Sequence, residues 1–161
     1  MLDKVILLTG YEPFGGEKVN PSILACRRLD GRRSNGYTVN VEEVPLRFGE
    51  IKGTIEGHIK RHKPAAIIST GQGGGSWLNL ERVAINVADA MRVAYNCRTK
   101  PRDATLVEGA RASQGKLGIP AGFIHVPKLP EQVVDTKEPH MSLDLIARGL
   151  EIVVEEVSGE L

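Results

Sequence analysis

The sequence predicts an α/β domain built on a largely parallel sheet, and three observations carry that expectation. The first half of the 161-residue chain alternates strand-like and helix-like stretches. Ala65-Ala66-Ile67-Ile68-Ser69-Thr70 is a continuous apolar run of the kind a central strand shows when both its faces are covered. Two glycine-rich loops, Gly10 to Gly16 and Gly71 to Ser76, each follow such a strand, where sites form in open parallel sheets.

Taken in order, Lys4 to Leu8 is a short apolar strand stopping at Thr9-Gly10. A loop with two aromatics, Tyr11-Glu12-Pro13-Phe14-Gly15-Gly16, leads to Asn20-Pro21-Ser22, which opens a helix with Ile23, Leu24 and Leu29 inward and Gly31 at its end. Tyr37 to Val44 alternates as a strand does and is closed by Pro45. Ile51, Ile55 and Ile59, with His58 beside them, mark the inner face of a helix over Phe48 to His62, and Pro64 ends it. After the Ala65–Thr70 strand, Val83 to Val87 is a further strand candidate. Arg92 to Leu117 has no clear period and reads as a long irregular arm, which is unusual inside a compact domain. Gly122 to Pro127 is a short strand ending in proline. Ser142 caps a helix whose stripe is Leu143, Ile146, Leu150, Val153, Val154 and Val157. There is no internal repeat and no boundary, so residues 1–161 are expected to form one domain.

Composition removes several classes of function. With 21 basic and 20 acidic residues the net charge is +1, which gives little footprint for nucleic acid or an anionic membrane surface. Aromatics at 4% are too few for a base-stacking platform. No apolar run approaches the ~20 residues of a membrane span. The N-terminal stretch lacks the features of a signal peptide, so a cytoplasmic location with both thiols reduced is expected. Cys26 and Cys97 form neither a metal pattern nor a disulfide framework.

Few residues remain that can carry chemistry. Gly71-Gln72-Gly73-Gly74-Gly75 ends in Gly-Ser, where a phosphate-binding P-loop requires Gly-Lys followed by Ser or Thr, so the bland reading is a turn after a buried strand. His58 and His62 stand four apart on one helix face, which is metal-ligand spacing. No Glu accompanies the first and no third ligand is evident, so the pair reads as a solvated helix face, and no metal site is expected. His140 lies in a loop. His125 ends an apolar strand and either faces a cleft or is a satisfied structural histidine. Glu81, just past the glycine loop, is either a solvated strand-edge carboxylate or a functional one.

Three motifs in order resemble the pyroglutamyl peptidase I (pyrrolidone-carboxylate peptidase) family. They are Thr9-Gly10-Tyr11-Glu12-Pro13-Phe14-Gly15-Gly16 with Asn20-Pro21-Ser22; Gly71-Gln72-Gly73-Gly74 with Leu80-Glu81-Arg82-Val83-Ala84-Ile85-Asn86; and Gly122-Phe123-Ile124-His125-Val126-Pro127 with Leu129-Pro130-Glu131-Gln132. The resemblance implies a three-layer α/β/α sandwich around a mixed, mostly parallel sheet, and a homo-oligomer, dimer or tetramer. It implies a cofactor-free cysteine peptidase that removes N-terminal pyroglutamate from peptides. Glu81 is then the acidic member of the triad and His125 its base, a His that takes the thiol proton while a carboxylate orients it. Tyr11 and Phe14 clamp the lactam ring, and Gln72 lies in the loop that helps hold the pyroglutamyl group.

The chain departs from the family at the nucleophile. The family's motif of the form Ala-Gly-x-x-x-Cys-Asn, between the Glu and His motifs, is absent, and only 44 positions separate Glu81 from His125. The shortfall falls near residues 112–120, where Gln114 to Leu117 runs almost directly into the His motif. Met91 stands where the family has an arginine, and Arg92 is displaced by one. Cys97 lies in the right region but has only Arg98 to lower its pKa and no evident helix start. Cys26, beside Leu24 and Ala25, reads as a packed apolar residue. The expected function is therefore that of a pyroglutamyl peptidase, inactive or incomplete as this chain stands. The alternative is a non-catalytic homologue that binds pyroglutamyl peptides or a partner subunit.

Overall fold

In the computed structural model, residues 4–47, 49–82 and 118–161 are described. The expected strand at 83–87, the stretch 92–117 (its last residue, Leu117, included), Cys97, Met91 and Arg92 lie outside them. The described strands form one six-stranded sheet. In chain order they are β1 (Lys4–Tyr11), β2 (Arg33–Ser34), β3 (Tyr37–Val44), β4 (Ala66–Gln72), β5 (Asn79–Glu81) and β6 (Ala121–Val126), arranged β2-β3-β1-β4-β6-β5. The four inner strands are parallel, and the two short edge strands are antiparallel to their neighbours. The sheet is therefore mixed and mostly parallel, as the sequence predicts.

Helices α1 (Pro21–Arg27), α2 (Ile51–His62) and α3 (Leu143–Glu160) cover the two faces. Alternation along β1 divides the core between them. Ile6 and Leu8 join Cys26, Leu29, Ile146, Leu150 and Val154 under α1 and α3. Leu7 and Tyr11 join Ile51, Ile55 and Ile59 under α2. The result is three layers. Each such fully buried aliphatic side chain contributes roughly 1.5–3 kcal/mol of transfer free energy.

The local signals work where expected. Asn20 caps α1 by accepting from the Ser22 amide, with Pro21 in the first turn. Ser142 caps α3 by accepting from Leu145 N. The interior of β4 is buried from Ala66 to Gly71, as a strand covered on both faces must be.

Several bounds differ from the expectation. β1 does not stop at Thr9-Gly10 but runs to Tyr11, because Thr9, Gly10 and Tyr11 pair with Glu42, Glu43 and Val44 of β3. Gly10 is a point of close approach: a Cβ there would lie 2.5 Å from Ile23 Cα, where α1 crosses the strand. α1 ends at Arg27, and turns carry the chain to Gly31, which has φ 74°. α2 is closed by Lys63 in the left-handed conformation, one residue before Pro64. The β2–β3 hairpin was not anticipated. Its signal is Asn35-Gly36, both at positive φ (46° and 82°), the pair a two-residue hairpin turn demands.

Cys26 is fully buried, as its apolar neighbours suggest. Its Sγ lies 3.3 Å from Thr70 Oγ1, and burial pushes the thiol up to about 12. Native protein at pH 8 is expected to leave Cys26 unmodified by iodoacetamide, and peptide mass mapping checks this. Its alkylation at the rate of a free thiol would contradict the packing.

Candidate functional site

The site lies at the C-terminal ends of β4 and β6, on the sheet face that α2 covers. In β6, Ile124 and Val126 point into the core under α1 and α3, so Phe123 and His125 point the other way. β5 runs antiparallel beside them with Glu81 opposite Phe123, which places Glu81 diagonal to His125 on the same face. Glu81 Oε1 lies 2.7 Å from His125 Nδ1. Asn79 Nδ2 donates to the same carboxylate oxygen at 2.6 Å. The hydrogen bond to His125 holds the Glu81 carboxyl below its ordinary pKa, with Asn79 adding to the effect. With Nδ1 engaged by a carboxylate, the ring turns Nε2 outward as the proton-accepting atom.

Two glycines make room for this arrangement. A Cβ at Gly73 would meet His125 Cβ at 2.8 Å, and one at Gly71 would meet the Phe123 ring at 2.9 Å. The expected loop from Gly71 begins two residues later, since Gly71 and Gln72 still pair with β6, and the Gly71–Gly75 segment gives clearance to side chains on that strand. It runs on into β5, not into a helix, so it has no helix N-terminus to hold a phosphate. The Phe123 ring meets His125 edge-on at 4.9 Å between centroids and lies 6.4 Å from the ring of Tyr11. Phe14 packs against the same cluster. Tyr11, Phe14, Glu81 and His125 thus share one face.

Gln72 does not join them. It pairs with Val126 in the β4–β6 register and so belongs to the opposite face. There its Oε1 accepts from Gln132 Nε2 at 2.9 Å, and Gln132 Oε1 in turn accepts from Leu129 N. The sequence places Phe123 and Gln132 in the histidine motif without assigning them a role, and does not single out Asn79. The signal for Phe123 was present, since residues two apart in a strand share a face. Gln132 depends on a pairing between distant segments, and Asn79 stands in an exposed strand with no apolar pattern to mark it. Among the described residues the one thiol is Cys26, in the core beneath α1 on the other side of the sheet from His125.

The histidine pair also departs from expectation. His58 is not on a solvated face but is only 9% exposed, and a third group stands beside it: Glu42 of β3. Strand and helix are far apart in sequence, and only their packing reveals the cluster.

A mostly parallel α/β sheet thus carries a carboxylate–imidazole pair at its C-terminal edge, beside an aromatic cluster, an arrangement suited to acid–base chemistry. The family model for pyroglutamyl peptidase matches residues 4–119 and 109–160, and the chain belongs to that family. It is 34% identical to the pyrrolidone-carboxylate peptidase of Bacillus licheniformis, over 94% of this chain and 91% of the relative. It is 34% identical to that of Gloeobacter violaceus, over 96% and 97%. Its fold superposes on the crystal structure of Bacillus amyloliquefaciens pyroglutamyl peptidase I with a TM-score of 0.82, at 28% identity and 97% coverage of both chains. A mutant pyrrolidone carboxyl peptidase from Pyrococcus furiosus gives 0.82 at 26% identity, covering 98% of this chain and 99% of that one. The alignment with the Bacillus licheniformis enzyme spans 196 positions against a chain of 161, so this chain is short within the alignment.

Proposed function

We propose that this chain carries the orienting and proton-transfer half of a pyroglutamyl peptidase site and lacks the segment that brings the nucleophile. His125 is the general base and Glu81 the carboxylate that fixes its orientation. The observation that carries this reading is the 2.7 Å contact between Glu81 Oε1 and His125 Nδ1, made across two neighbouring strands. Tyr11 and Phe14 form the apolar wall for the lactam ring, with Phe123 backing Tyr11. Gln72, tied to Gln132, secures the loop rim that faces the pyroglutamyl group.

In the complete reaction a thiol gives its proton to His125 Nε2, and the thiolate attacks the carbonyl that joins pyroglutamate to the next residue. His125 then returns the proton to the leaving amine, and water hydrolyses the thioester. Nucleophile, base and orienting carboxylate are all side chains, so these steps call for no cofactor. The substrates are peptides with N-terminal pyroglutamate. We place the lost segment near residues 112–120 of a single domain. In support, the two family matches overlap at 109–119 while the alignments run longer than the chain. A cytoplasmic homo-oligomer fits the family resemblance, and no described helix is long and apolar enough to cross a membrane. No observation favours the alternative of a dedicated binding homologue.

The test is repair. Inserting the corresponding segment of the Bacillus licheniformis relative between residues 112 and 120 is expected to confer alkylation-sensitive cleavage of a pyroglutamyl amide. In the repaired chain, His125→Ala should remove that activity by about 10⁴-fold or more, and Glu81→Gln by a smaller but clear factor. Activity indifferent to His125 would refute the assignment.

A further inference from the structure

The cluster at the β3–α2 packing plays no part in the peptidase site. Glu42, in the second half of β3, faces the last two turns of α2, where His58 and His62 stand one above the other. Glu42 Oε1 lies 2.6 Å from His62 Nε2 and 3.5 Å from His58 Nδ1. One ligand atom from each residue falls within 4.8 Å of the other two. The second observation concerns His58. Both its ring nitrogens are buried without a hydrogen-bond partner of good geometry, an arrangement that costs free energy unless something else satisfies a nitrogen. Nothing in the packing of α2 requires a polar ring there, since Ile51, Ile55 and Ile59 supply its apolar face.

We infer that Glu42, His58 and His62 form a binding site for a borderline transition cation, Zn²⁺ foremost, which ties α2 to the sheet. Two imidazoles and a carboxylate suit Zn²⁺ far better than Mg²⁺ or Ca²⁺, which prefer all-oxygen shells. Bonds of about 2.0–2.1 Å in tetrahedral geometry set ligand atoms about 3.3 Å apart. The Glu42–His58 spacing is already near that value. The Glu42–His62 hydrogen bond must open by about 0.7 Å.

The surroundings allow this. Asn40 Nδ2 contacts His62 Nδ1 at 3.0 Å, so rotating that amide presents its oxygen to an Nδ1 proton and leaves Nε2 free as a ligand. Arg61 Nη1, 3.1 Å from Glu42 Oε1, is the counter-charge the cation replaces, and its exposed side chain has solvent to move into. Three protein ligands leave a fourth position for water.

The experiment is titration of the untagged full chain, treated first with iodoacetamide so that Cys97 cannot contribute a thiolate ligand, with Zn²⁺ by calorimetry and with Co²⁺ by visible absorption. One equivalent should bind, and Co²⁺ should show the d–d bands of a low-coordinate site. Zn²⁺ at 100 times its Kd should raise Tm by about 5–10 °C. Glu42→Gln and His62→Asn should each weaken binding at least about 10-fold, with circular dichroism confirming the fold, while His125→Ala binds as the parent does. Absence of binding at micromolar Zn²⁺, binding unchanged in both Glu42→Gln and His62→Asn, or binding lost in His125→Ala would each overturn the inference. His58→Leu should abolish binding; should it fail to fold, Glu42→Gln and His62→Asn decide the question.

Discussion

A fluorogenic pyroglutamyl amide is expected to survive incubation with this chain at essentially its rate in buffer. Loss of the nucleophile from a catalytic unit of this kind costs on the order of 10⁶ in kcat, because a base and its orienting carboxylate then have no thiol to act on. His125 and Glu81 are positioned at 2.7 Å, yet the one described thiol, Cys26, is held by its burial on the opposite side of the sheet. With its pKa near 12, it would not be ionised at neutral pH even if substrate reached it. Fluorescence release over hours, with and without iodoacetamide, makes the measurement. Rapid release abolished by alkylation at Cys97 would show that this cysteine supplies the missing thiolate and would overturn the expectation. In that event the acid–base assignment of His125 would stand, and only the location of the nucleophile would change.

The second large effect concerns folding. Gly10→Ala is expected to destabilise the domain by about 3–4 kcal/mol, because the added methyl meets backbone and not a movable side chain. Its Cβ would fall 2.5 Å from both Ile23 N and Ile23 Cα and 2.8 Å from Ser22 C. Relief requires α1 to lift from β1. That would disturb the Asn20 cap and the bond from the Tyr11 amide to Ser22 Oγ, and with them the approach to the aromatic wall. Gly57→Ala supplies the contrast. Gly57 lies within α2 with open space around a Cβ, and there the same substitution should stabilise by up to about 1 kcal/mol through helix propensity. Urea unfolding of the two variants beside the parent should therefore show midpoints moved in opposite directions. A neutral Gly10→Ala would mean that α1 and β1 do not approach as closely as this packing requires.

The location of this glycine shows how much was legible in the chain. Gly10 belongs to the motif Thr9 to Gly16, and the sequence reads it as a turn; the structure places it inside a strand. Local pattern marks a glycine as special but cannot say whether the reason is a positive φ or a helix passing overhead. The strand at Tyr37–Val44 and the helix face of Ile51, Ile55 and Ile59 were legible because period-2 and period-3.6 patterns are set by residues adjacent in sequence. The three-residue strand β5, with every residue exposed, has no apolar pattern to read. Its pairing with β6 is nevertheless what sets Glu81 against His125.

The sequence by itself determined the α/β class, the order of the main strands and helices, the family, and the absence of its nucleophile motif, since all of these are written in contiguous residues. Only the tertiary structure decided which side chains share a face. It joined Glu81 to His125, turned Gln72 toward Gln132, and set Glu42 beside two histidines that had read as solvated. The physical reason is common to all three. Strand register and helix docking are fixed by burying the whole apolar surface at once, and a polar side chain has no local signal for the partner that this packing brings to it.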